Sequence, residues 1–334
     1  MATYYGALSD RLVVGAGEWS ERLVGHDIEC VAADPAVPER VFVGTEDAGL
    51  QRSADGGETW TTALTAGDRV TSVTVSPHDP EVVWAGTEPS AVYRSTDGGE
   101  TWSNVDQRST ETASGEPRAA ERTGLTDLDS ASRWSFPPRP HTHHVRWLTV
   151  APDDPDVLYV AIEAGAFVRS PDAGETWADH PTGGRRDNHT LAVHPDAPER
   201  VYTAAGDGYA LSPDGGVTWS YPQSGLDHRY VWGVAVHPDD PETVVVSSAT
   251  GPRGAHSTSG ESYVYRTTGG AWHRSMDGLP GPDGLARAVF ATDADGFLAL
   301  TNHGLFHSNE GAAWERVGSW DDSFEQVPRG LVAV

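Results

Sequence analysis

The chain contains no lysine and one cysteine, and each scarcity excludes a kind of chemistry. All 23 basic side chains are arginines, so no lysine amine can form a Schiff base with a carbonyl substrate. Cys30 has no second cysteine to pair with, which excludes an intramolecular disulfide. The sequence also lacks a Ser-centred nucleophile elbow and a phosphate-binding P-loop.

Long hydrophobic runs and targeting segments are also missing. No apolar stretch approaches the roughly 20 residues that a membrane-spanning helix needs. The first residues show neither the charged and apolar regions of a secretory signal nor a twin-arginine motif. We therefore expect a cytoplasmic protein that does not bind membranes.

The charge balance is strongly acidic. The chain has 49 acidic and 23 basic residues, a formal charge of −26, and the acidic residues are spread over its whole length. No basic stripe is present to neutralise phosphates, which argues against a nucleic-acid partner. An acidic excess without lysine is the composition expected in a salt-loaded cytosol, where the Debye length falls to about 3 Å at 1 M salt, and it predicts a halophilic origin.

One eight-residue phrase, Ser-Ala-Asp-Gly-Gly-Glu-Thr-Trp in its first copy, returns along the chain. Four close copies and two shortened ones occupy residues 53–60, 95–102, 170–177, 212–219, 266–272 and 308–314. Their starts are separated by 42, 75, 42, 54 and 42 residues, which is one period of 42 with insertions of 33 and 12. A fixed period of this length predicts a repeat architecture.

The phrase resembles the Asp box, or BNR repeat, of sialidases, xyloglucanases, sortilin-type receptors and photosystem II assembly factors. Its aspartate can accept backbone N–H bonds within a tight turn, and its two glycines tolerate positive φ. The resemblance implies a β-propeller in which the boxes are structural hairpins away from the active face. It implies little about chemistry, because unrelated functions share one fold.

Each repeat has the pattern of a four-stranded propeller blade, with short β-rich runs separated by Gly, Pro and Asp. Without the two insertions, 289 residues remain, close to seven periods of 42. We predict an all-β fold, one seven-bladed propeller over residues 1–334, with six blades as the alternative. The N-terminal strands and the final segment 330–334 should share one blade and close the ring, which removes an exposed sheet edge.

The longer insertion divides into two parts of different character. Residues 106–132 are polar and poor in aromatics, which predicts a mobile loop between blades. Residues 133–144 instead bring two aromatic residues, three prolines and three histidines together. Such a composition is not typical of a linker, and it suits either a pocket lid or a protein-binding epitope.

Unusual polar residues concentrate on one face of the predicted ring. In a propeller, the loops that enter the inner strands and those that join the second and third strands open on the face opposite the Asp boxes. Aligning the inner strands gives six equivalent positions that face the channel: Glu29, Thr71, Arg146, His189, Trp232 and Arg287. We predict a ligand pocket across the third to fifth blades.

Three sets of candidate site residues follow from this placement. The candidate catalytic residues are His189, Tyr230, Glu163 and Asp207. The candidate substrate-binding residues are Arg146, Arg229, Arg287, Trp232 and Trp134. The candidate ligands of one divalent metal ion are His141, His143, His144 and His189. Polar residues also commonly line the wet channel of a propeller, and an aspartate between two glycines can equally be a turn residue.

Four mechanisms can use these groups. A bound divalent metal can polarise a substrate oxygen or activate water. His189 or Tyr230 can act as the base of a metal-free β-elimination while an arginine holds a uronate carboxylate. Glu163 and Asp207 can act as acid and base in glycoside hydrolysis. The sialidase resemblance implies a fourth, an arginine triad with Tyr230 as nucleophile, although the Arg-Ile-Pro phrase of sialidases is absent.

Our leading hypothesis is a hydrolase or lyase that acts on a small-molecule or carbohydrate substrate, a sugar or an acidic sugar derivative. The alternative is a non-catalytic scaffold that binds a protein partner, as the resemblance to photosystem II assembly factors implies.

Overall fold

The computed structural model describes residues 2–65, 69–106, 124–318 and 326–334. Its strands, in chain order, are β1 (Tyr4–Leu8), β2 (Leu12–Gly15), β3 (Trp19–Arg22), β4 (Ile28–Asp34), β5 (Val37–Thr45), β6 (Leu50–Ser53), β7 (Thr61–Leu64), β8 (Arg69–Val75), β9 (Val83–Glu88), β10 (Val92–Ser95), β11 (Ser103–Asn104), β12 (Val145–Val150), β13 (Leu158–Ile162), β14 (Ala166–Ser170), β15 (Asn188–His194), β16 (Ala197–Ala205), β17 (Gly208–Ser212), β18 (Tyr230–His237), β19 (Asp240–Ala249), β20 (Ser262–Thr268), β21 (His273–Arg274), β22 (Val289–Asp293), β23 (Gly296–Thr301), β24 (Gly304–Ser308), β25 (Glu315–Arg316) and β26 (Pro328–Ala333).

These strands form seven antiparallel sheets, each a blade of one β-propeller, so the predicted all-β seven-bladed fold is confirmed over the described residues. Blades 1 to 6 follow one another as β4–β7, β8–β11, β12–β14, β15–β17, β18–β21 and β22–β25. In blades 3 and 4 single bridges, Arg169 to Ala178 and Leu211 to Ser220, take the place of an outer strand. None of the helices in the described ranges has the length and apolarity needed to cross a membrane.

The seventh blade joins the two ends of the chain. Its strand order is β26, β1, β2, β3, with Tyr4 opposite Ala333 and Tyr5 opposite Val332. Thr3 and Val334 exchange two further backbone hydrogen bonds of 2.7 and 3.0 Å. The predicted closure of the ring by terminal strands in one blade is therefore confirmed. The N- and C-terminal strands pair with each other instead of leaving exposed strand edges.

The Asp boxes are structural turns that satisfy their own polar groups. In the second box, the Ser95 hydroxyl donates to Asp97 Oδ1 at 2.7 Å and accepts the Gly99 N–H at 2.8 Å. Asp97 Oδ1 also accepts the Thr101 N–H at 2.9 Å, and Gly99 adopts a φ of 83° that a side chain would strain. The other three close copies repeat the Ser–Asp and Ser–Gly bonds.

The hydrophobic core lies between neighbouring blades. In one cluster, Phe42 and Leu50 of blade 1 pack with Val70 and Val83 of blade 2, and all four are fully buried. Side chains alternate across each strand, so each blade buries one face against the blade before it and the other against the blade after it. The ring is therefore held by apolar contacts between sheets rather than by a single central core.

The inner strands share a β-bulge at one level. In β4, Ile28 pairs with Thr45 and Cys30 with Gly44, which leaves Glu29 as the extra residue. The same break in register leaves an extra residue in five other inner strands: Thr71, Arg146, His189, Trp232 and Arg329. A bulge releases its residue from the ladder and redirects the side chain. Here it creates a ring of polar and aromatic groups, and Arg287, two residues before β22, joins that ring by packing on Trp232.

The described end of the longer insertion is packed rather than loose. Residues 107–123 of the predicted mobile loop lie outside the described residues. Residues 124–133 contain two 3-10 helices, Leu125–Asp127 and Asp129–Arg133. Leu125 is fully buried and Leu128 nearly so, in the same cluster as Trp134. For residues 124–132 the expectation of a loose loop is corrected, because these two leucines supply core contacts that the polar composition concealed.

Candidate functional site

A cavity of about 640 Å³ opens at the end of the ring where the inner strands begin. Five bulge residues line it: Glu29, Thr71, Arg146, Trp232 and Arg329. The Asp boxes lie at the opposite ends of the strands, because each joins the third strand of a blade to its fourth. The lining also draws on blades 1, 2 and 7, so the cavity is wider than the predicted pocket across the third to fifth blades.

Two inserted segments form opposite walls of this cavity. On one side stand Phe136 to Arg139, held by a double hydrogen bond from Arg139 to the Glu88 carboxylate at 2.8 and 2.6 Å. The Phe136 ring packs edge-on against His144 at 4.7 Å. On the other side stands the short helix α1 (Pro252–Ala255), followed by His256. Both walls lie at the open ends of blades, where insertions do not disturb the strand ladders.

Two carboxyl groups and one imidazole converge in the cavity. Glu163 directly follows β13, and Asp187 directly precedes β15, whose second residue is His189. One oxygen of each carboxyl group and a nitrogen of His189 all lie within 4.8 Å of one another. Because the end of β13 and the start of β15 meet at the same face, neighbouring blades bring together groups that are 24 residues apart in sequence.

The surroundings shift the pKa values of the two carboxyl groups in opposite directions. Burial alone would raise the pKa of Glu163, but the hydrogen bond from His144 Nε2 at 3.0 Å and favourable electrostatic interactions with His144, His189 and Arg146 outweigh it and lower that pKa well below its usual range. Burial, together with the carboxylates of Glu163 and Asp207, raises the pKa of Asp187 against the opposing effect of His189. The ionised form is thus favoured at Glu163 and the protonated form is favoured more at Asp187 than in a free aspartate, a separation of pKa values typical of acid–base pairs.

His189 lies beneath the cavity rather than in its wall. The ring is fully buried and stacks on Trp232 with centroids 4.4 Å apart. Its Nδ1 lies 2.7 Å from the Val231 carbonyl, which can only accept, so Nδ1 carries the proton and Nε2 keeps its lone pair. Burial lowers the pKa of His189, and Nε2 stands 3.7 Å from Asp187 with no hydrogen-bond partner among the described residues. The imidazole can therefore act on a ligand only through Asp187 or a bound ion.

Arginines surround Trp232 at the floor of the cavity. Arg146 and Arg287 lie over its ring, 4.7 and 3.9 Å from the centroid. Arg146 stands 3.7 Å from both Glu29 and Glu163. Arg287 is 1% exposed, and within the described ranges no carboxylate lies within 4 Å of it and its Nε and Nη2 lack partners. Burial and the charges of Arg329 and Arg146 lower its pKa.

Arg287 makes one side-chain hydrogen bond, to a wall of the cavity. Its Nη1 lies 2.7 Å from His256 Nδ1, and His256 Nε2 lies 3.1 Å from the Tyr230 hydroxyl. Loss of solvent, followed by the Arg287 charge, lowers the pKa of His256 to about 3, so this imidazole is neutral at pH 7. Burial and the carboxylates of Glu163 and Asp187 raise the pKa of Tyr230, which keeps the phenol protonated and disfavours the predicted role as a base.

The four histidines assigned to a metal do not converge. His141 is exposed beside a separate depression, and the His143 ring packs against Trp134 at 5.5 Å. His144 donates to Glu163. Near-neighbours in one turn point in different directions, so only His189 belongs to a group that could hold an ion, and its companions are Glu163 and Asp187. The predicted ligand set is corrected accordingly.

Three other predicted site residues lie away from the cavity. The Asp207 side chain is 61% exposed and pairs with Arg185 at 2.5 Å. Arg229 is exposed and does not line the cavity. Trp134 is buried in the core, where its indole N–H donates to Ser130 at 3.1 Å. The first two are turned outward by the loops that carry them, and the third is part of the packing that supports the Phe136 wall.

The site contains residues that were not assigned from the sequence. Asp187 stands two positions before a bulge residue, and this spacing could have identified it. Arg329 occupies the bulge of the closing blade and could have been found by extending the inner-strand alignment to the C-terminal strand. Arg139 and His256 lie on inserted segments, which the repeat pattern does not cover.

The family model of the BNR/Asp-box repeat matches residues 93–104, which include the second box. No curated protein matched the sequence. The chain is a β-propeller that carries a BNR/Asp-box repeat. Among solved structures, a GH74 enzyme from Niastella koreensis is 16% identical with a TM-score of 0.67, and the alignment covers 97% of this chain and 52% of that one.

Two further structures widen the range of relatives. The GH74 xyloglucanase from Xanthomonas campestris is 18% identical, with a TM-score of 0.65 and coverage of 94% of this propeller and 52% of that chain. YCF48 bound to a D1 peptide is 15% identical, with a TM-score of 0.59 and coverage of 95% and 90%. The BNR propeller thus spans about half the length of these GH74 enzymes, and identities this low show a shared fold alone.

Proposed function

We propose that this BNR propeller is a glycoside-active enzyme whose cavity binds a sugar or an acidic sugar derivative. The observation that supports the proposal is the pair of carboxyl groups, Glu163 and Asp187, which lie close together in one cavity and whose pKa values are shifted in opposite directions. Asp187 takes the role that the sequence had suggested for Asp207. The GH74 neighbours are compatible with this class of reaction.

Each carboxyl group has a role that its surroundings favour. Asp187, whose pKa is raised by burial, would donate a proton to the leaving oxygen of a glycosidic bond. Glu163, kept ionised by His144 and Arg146, would stabilise or attack the positively charged sugar carbon. Their oxygens lie within 4.8 Å, nearer the roughly 5–5.5 Å of retaining glycosidases than the roughly 6.5–9.5 Å of inverting ones. Hydrolysis with retention is therefore the favoured reaction, ahead of β-elimination.

The same residues offer a metal-assisted version of this function. Two carboxylate oxygens and the neutral Nε2 of His189 are a donor set that suits a divalent ion, and the buried Nε2 has no other partner in the described part of the chain. Such an ion supplies Lewis-acid polarisation of a ligand oxygen when bound. Elemental analysis of protein purified without a chelator tests this version. Stoichiometric metal that is absent from His189→Ala supports it, and metal-free protein rules it out.

A non-catalytic scaffold is the second candidate. The YCF48 structure contains a bound peptide, and the alignment with it covers 90% of that chain. Under this alternative the cavity would hold a segment of a partner protein, and the carboxyl pair would serve recognition.

Substrate screening separates the two candidates. Purified protein is incubated with xyloglucan, cello-oligosaccharides and polygalacturonate, and the products are analysed for new reducing ends and unsaturated sugars. We expect cleavage that falls at least about 10³-fold in Asp187→Asn and Glu163→Gln but remains unchanged in Asp207→Asn, whose exposed carboxyl group serves as the matched control. Equal activity in all three variants would exclude the carboxyl pair as the catalytic groups.

A further inference from the structure

The hydrogen bonds of His256 have only one consistent assignment when its ring is neutral. A guanidinium has donors and no acceptor, so Arg287 Nη1 must donate to His256 Nδ1 across 2.7 Å. Nδ1 therefore carries the lone pair, and the ring proton sits on Nε2. That nitrogen, 3.1 Å from the Tyr230 hydroxyl, must donate to the phenol oxygen. The direction of both bonds thus follows from the chemistry of Arg287.

This assignment leaves Tyr230 with a free proton. Its oxygen is already occupied as an acceptor, and among the described residues no carbonyl or carboxylate is within hydrogen-bond distance to receive its O–H. Tyr230 lines the cavity, so this proton is available to a ligand that enters it. A phenol in this state is poised to donate its hydrogen bond to a ligand oxygen.

The chain is fixed in place by packing. The Arg287 backbone N–H donates to the Ala255 carbonyl at 3.1 Å, which ties the end of α1 to the strand entry of blade 6. The His256 ring stands edge-on to Trp232, with centroids 4.5 Å apart and planes at 87°. Arg287 lies over the same indole. Arg287 does not line the cavity, so His256 and not Arg287 is the member of this pair that can contact a ligand there.

We propose that Arg287, His256 and Tyr230 form a one-way hydrogen-bonded chain that presents the Tyr230 hydroxyl as a fixed donor to the ligand. Arg287 and His256 are positioning residues, and Tyr230 determines specificity. The ligand must then place an acceptor oxygen, such as a glycosidic ether or a carboxylate oxygen, against Tyr230. The nature of the ligand rests on the proposed function, whereas the chain itself does not.

The direction of the chain is tested without any ligand. Long-range ¹H–¹⁵N spectra of histidine-labelled protein, with His256→Gln to assign the resonance, report which nitrogen is protonated. We expect the Nε2–H tautomer at pH 7, and an Arg287→Met variant that loses this fixed state. The pKa of His256 should then rise only part of the way from about 3 toward its usual value of about 6.5, since burial, the largest cause of the lowered pKa, remains and only the opposing charge of Arg287 is removed. An Nδ1–H tautomer or a charged ring in the wild type would overturn the proposal.

The ligand end is tested by calorimetry with cellotetraose and tetragalacturonate. For whichever sugar binds, Tyr230→Phe should weaken binding roughly 3- to 10-fold, Arg287→Met should cause part of that loss, and the double variant should lose no more than Tyr230→Phe. Tyr221→Phe, at an exposed tyrosine, is the matched control. Unchanged binding in Tyr230→Phe contradicts the donor role. If neither sugar binds, the proposed function fails, and the spectra alone decide the direction of the chain.

Discussion

Replacing Arg287 with methionine should make the protein more stable, although it removes a buried hydrogen bond. The guanidinium is 1% exposed, and no carboxylate of the described residues lies within 4 Å of it. Burying such an ion costs several kcal/mol. Against this cost stand one charged hydrogen bond, worth about 1.5–3 kcal/mol, and the stack on Trp232, worth about 2 kcal/mol. Methionine keeps the apolar stem contacts, so a net gain of about 1–3 kcal/mol is expected.

The size of this gain sets what a melting experiment must detect. With an unfolding entropy of about 2.1 cal/mol/K per residue, a chain of 334 residues unfolds with about 0.7 kcal/mol/K. The expected rise in Tm is therefore roughly 1–4 °C, measured by calorimetry at pH 7 and fixed salt. Reversibility of the transition is checked by a second scan of the same sample.

Arg146→Met is the matched control for this prediction. Arg146 is buried to a similar degree but faces Glu29 and Glu163 at 3.7 Å. Removing it takes one cation away from these two buried carboxylates, which keep His144, Arg69 and Arg329 as partners, and this should cost about 1–3 kcal/mol and lower Tm by roughly 1–4 °C. A fall in Tm for Arg287→Met as large as that for Arg146→Met would refute the argument that the cost of burying the Arg287 charge is not offset by its contacts.

Three further predictions concern stability. Folding lowers the pKa of Glu163, so its ionised form stabilises the protein above the unfolded-state pKa of about 4.3, and this stabilisation is lost as pH falls below that value. The urea midpoint should therefore decline more steeply from pH 7 to 3 in the wild type than in Glu163→Gln. Ser95→Ala leaves the Gly99 N–H without its acceptor and should cost about 1–2 kcal/mol in urea unfolding, whereas exposed Ser132→Ala should cost almost nothing. Gly86→Ala would place a Cβ 2.4 Å from Val145 Cγ1 of the next blade and should cost about 1–3 kcal/mol; a neutral result would mean that the two blades can move apart.

The fold was predictable because its signals are local and repeated. Every close copy of the Asp box contains the Ser, Asp and Gly residues that form its turn. The runs of alternating apolar and polar residues before each box indicate strands. Blade number followed from the period, and closure followed from strand-like segments at both ends. The alignment of the inner strands also identified the residues that the structure places at the bulges, because it put Glu29, Thr71, Arg146, His189 and Trp232 at equivalent positions.

The site was only partly predictable because side-chain direction depends on loops that do not repeat. Asp187 precedes an inner strand and Asp207 lies in the turn between the second and third strands of the same blade, so both are at the same face. Asp187 nevertheless lines the cavity, whereas Asp207 is exposed and pairs with Arg185. The cluster His141 to His144 suggested a metal site by composition, but successive residues of a turn diverge. His256 belongs to the insertion after β19, and its role depends on contacts with Arg287 that no spacing in the sequence reveals.

The bulge residues face the channel, whereas the paired strands and the apolar contacts between blades hold the propeller together. Each bulged residue stands outside the paired register of its strand, so its identity is not constrained by the ladder, and contacts with the next blade constrain only some of them, such as Thr71 and His189. Substitutions at this level can therefore change the chemistry of the channel one blade at a time, while the architecture stays intact. The six bulges of this protein carry Glu, Thr, Arg, His, Trp and Arg, which is one of many combinations that the same backbone can hold.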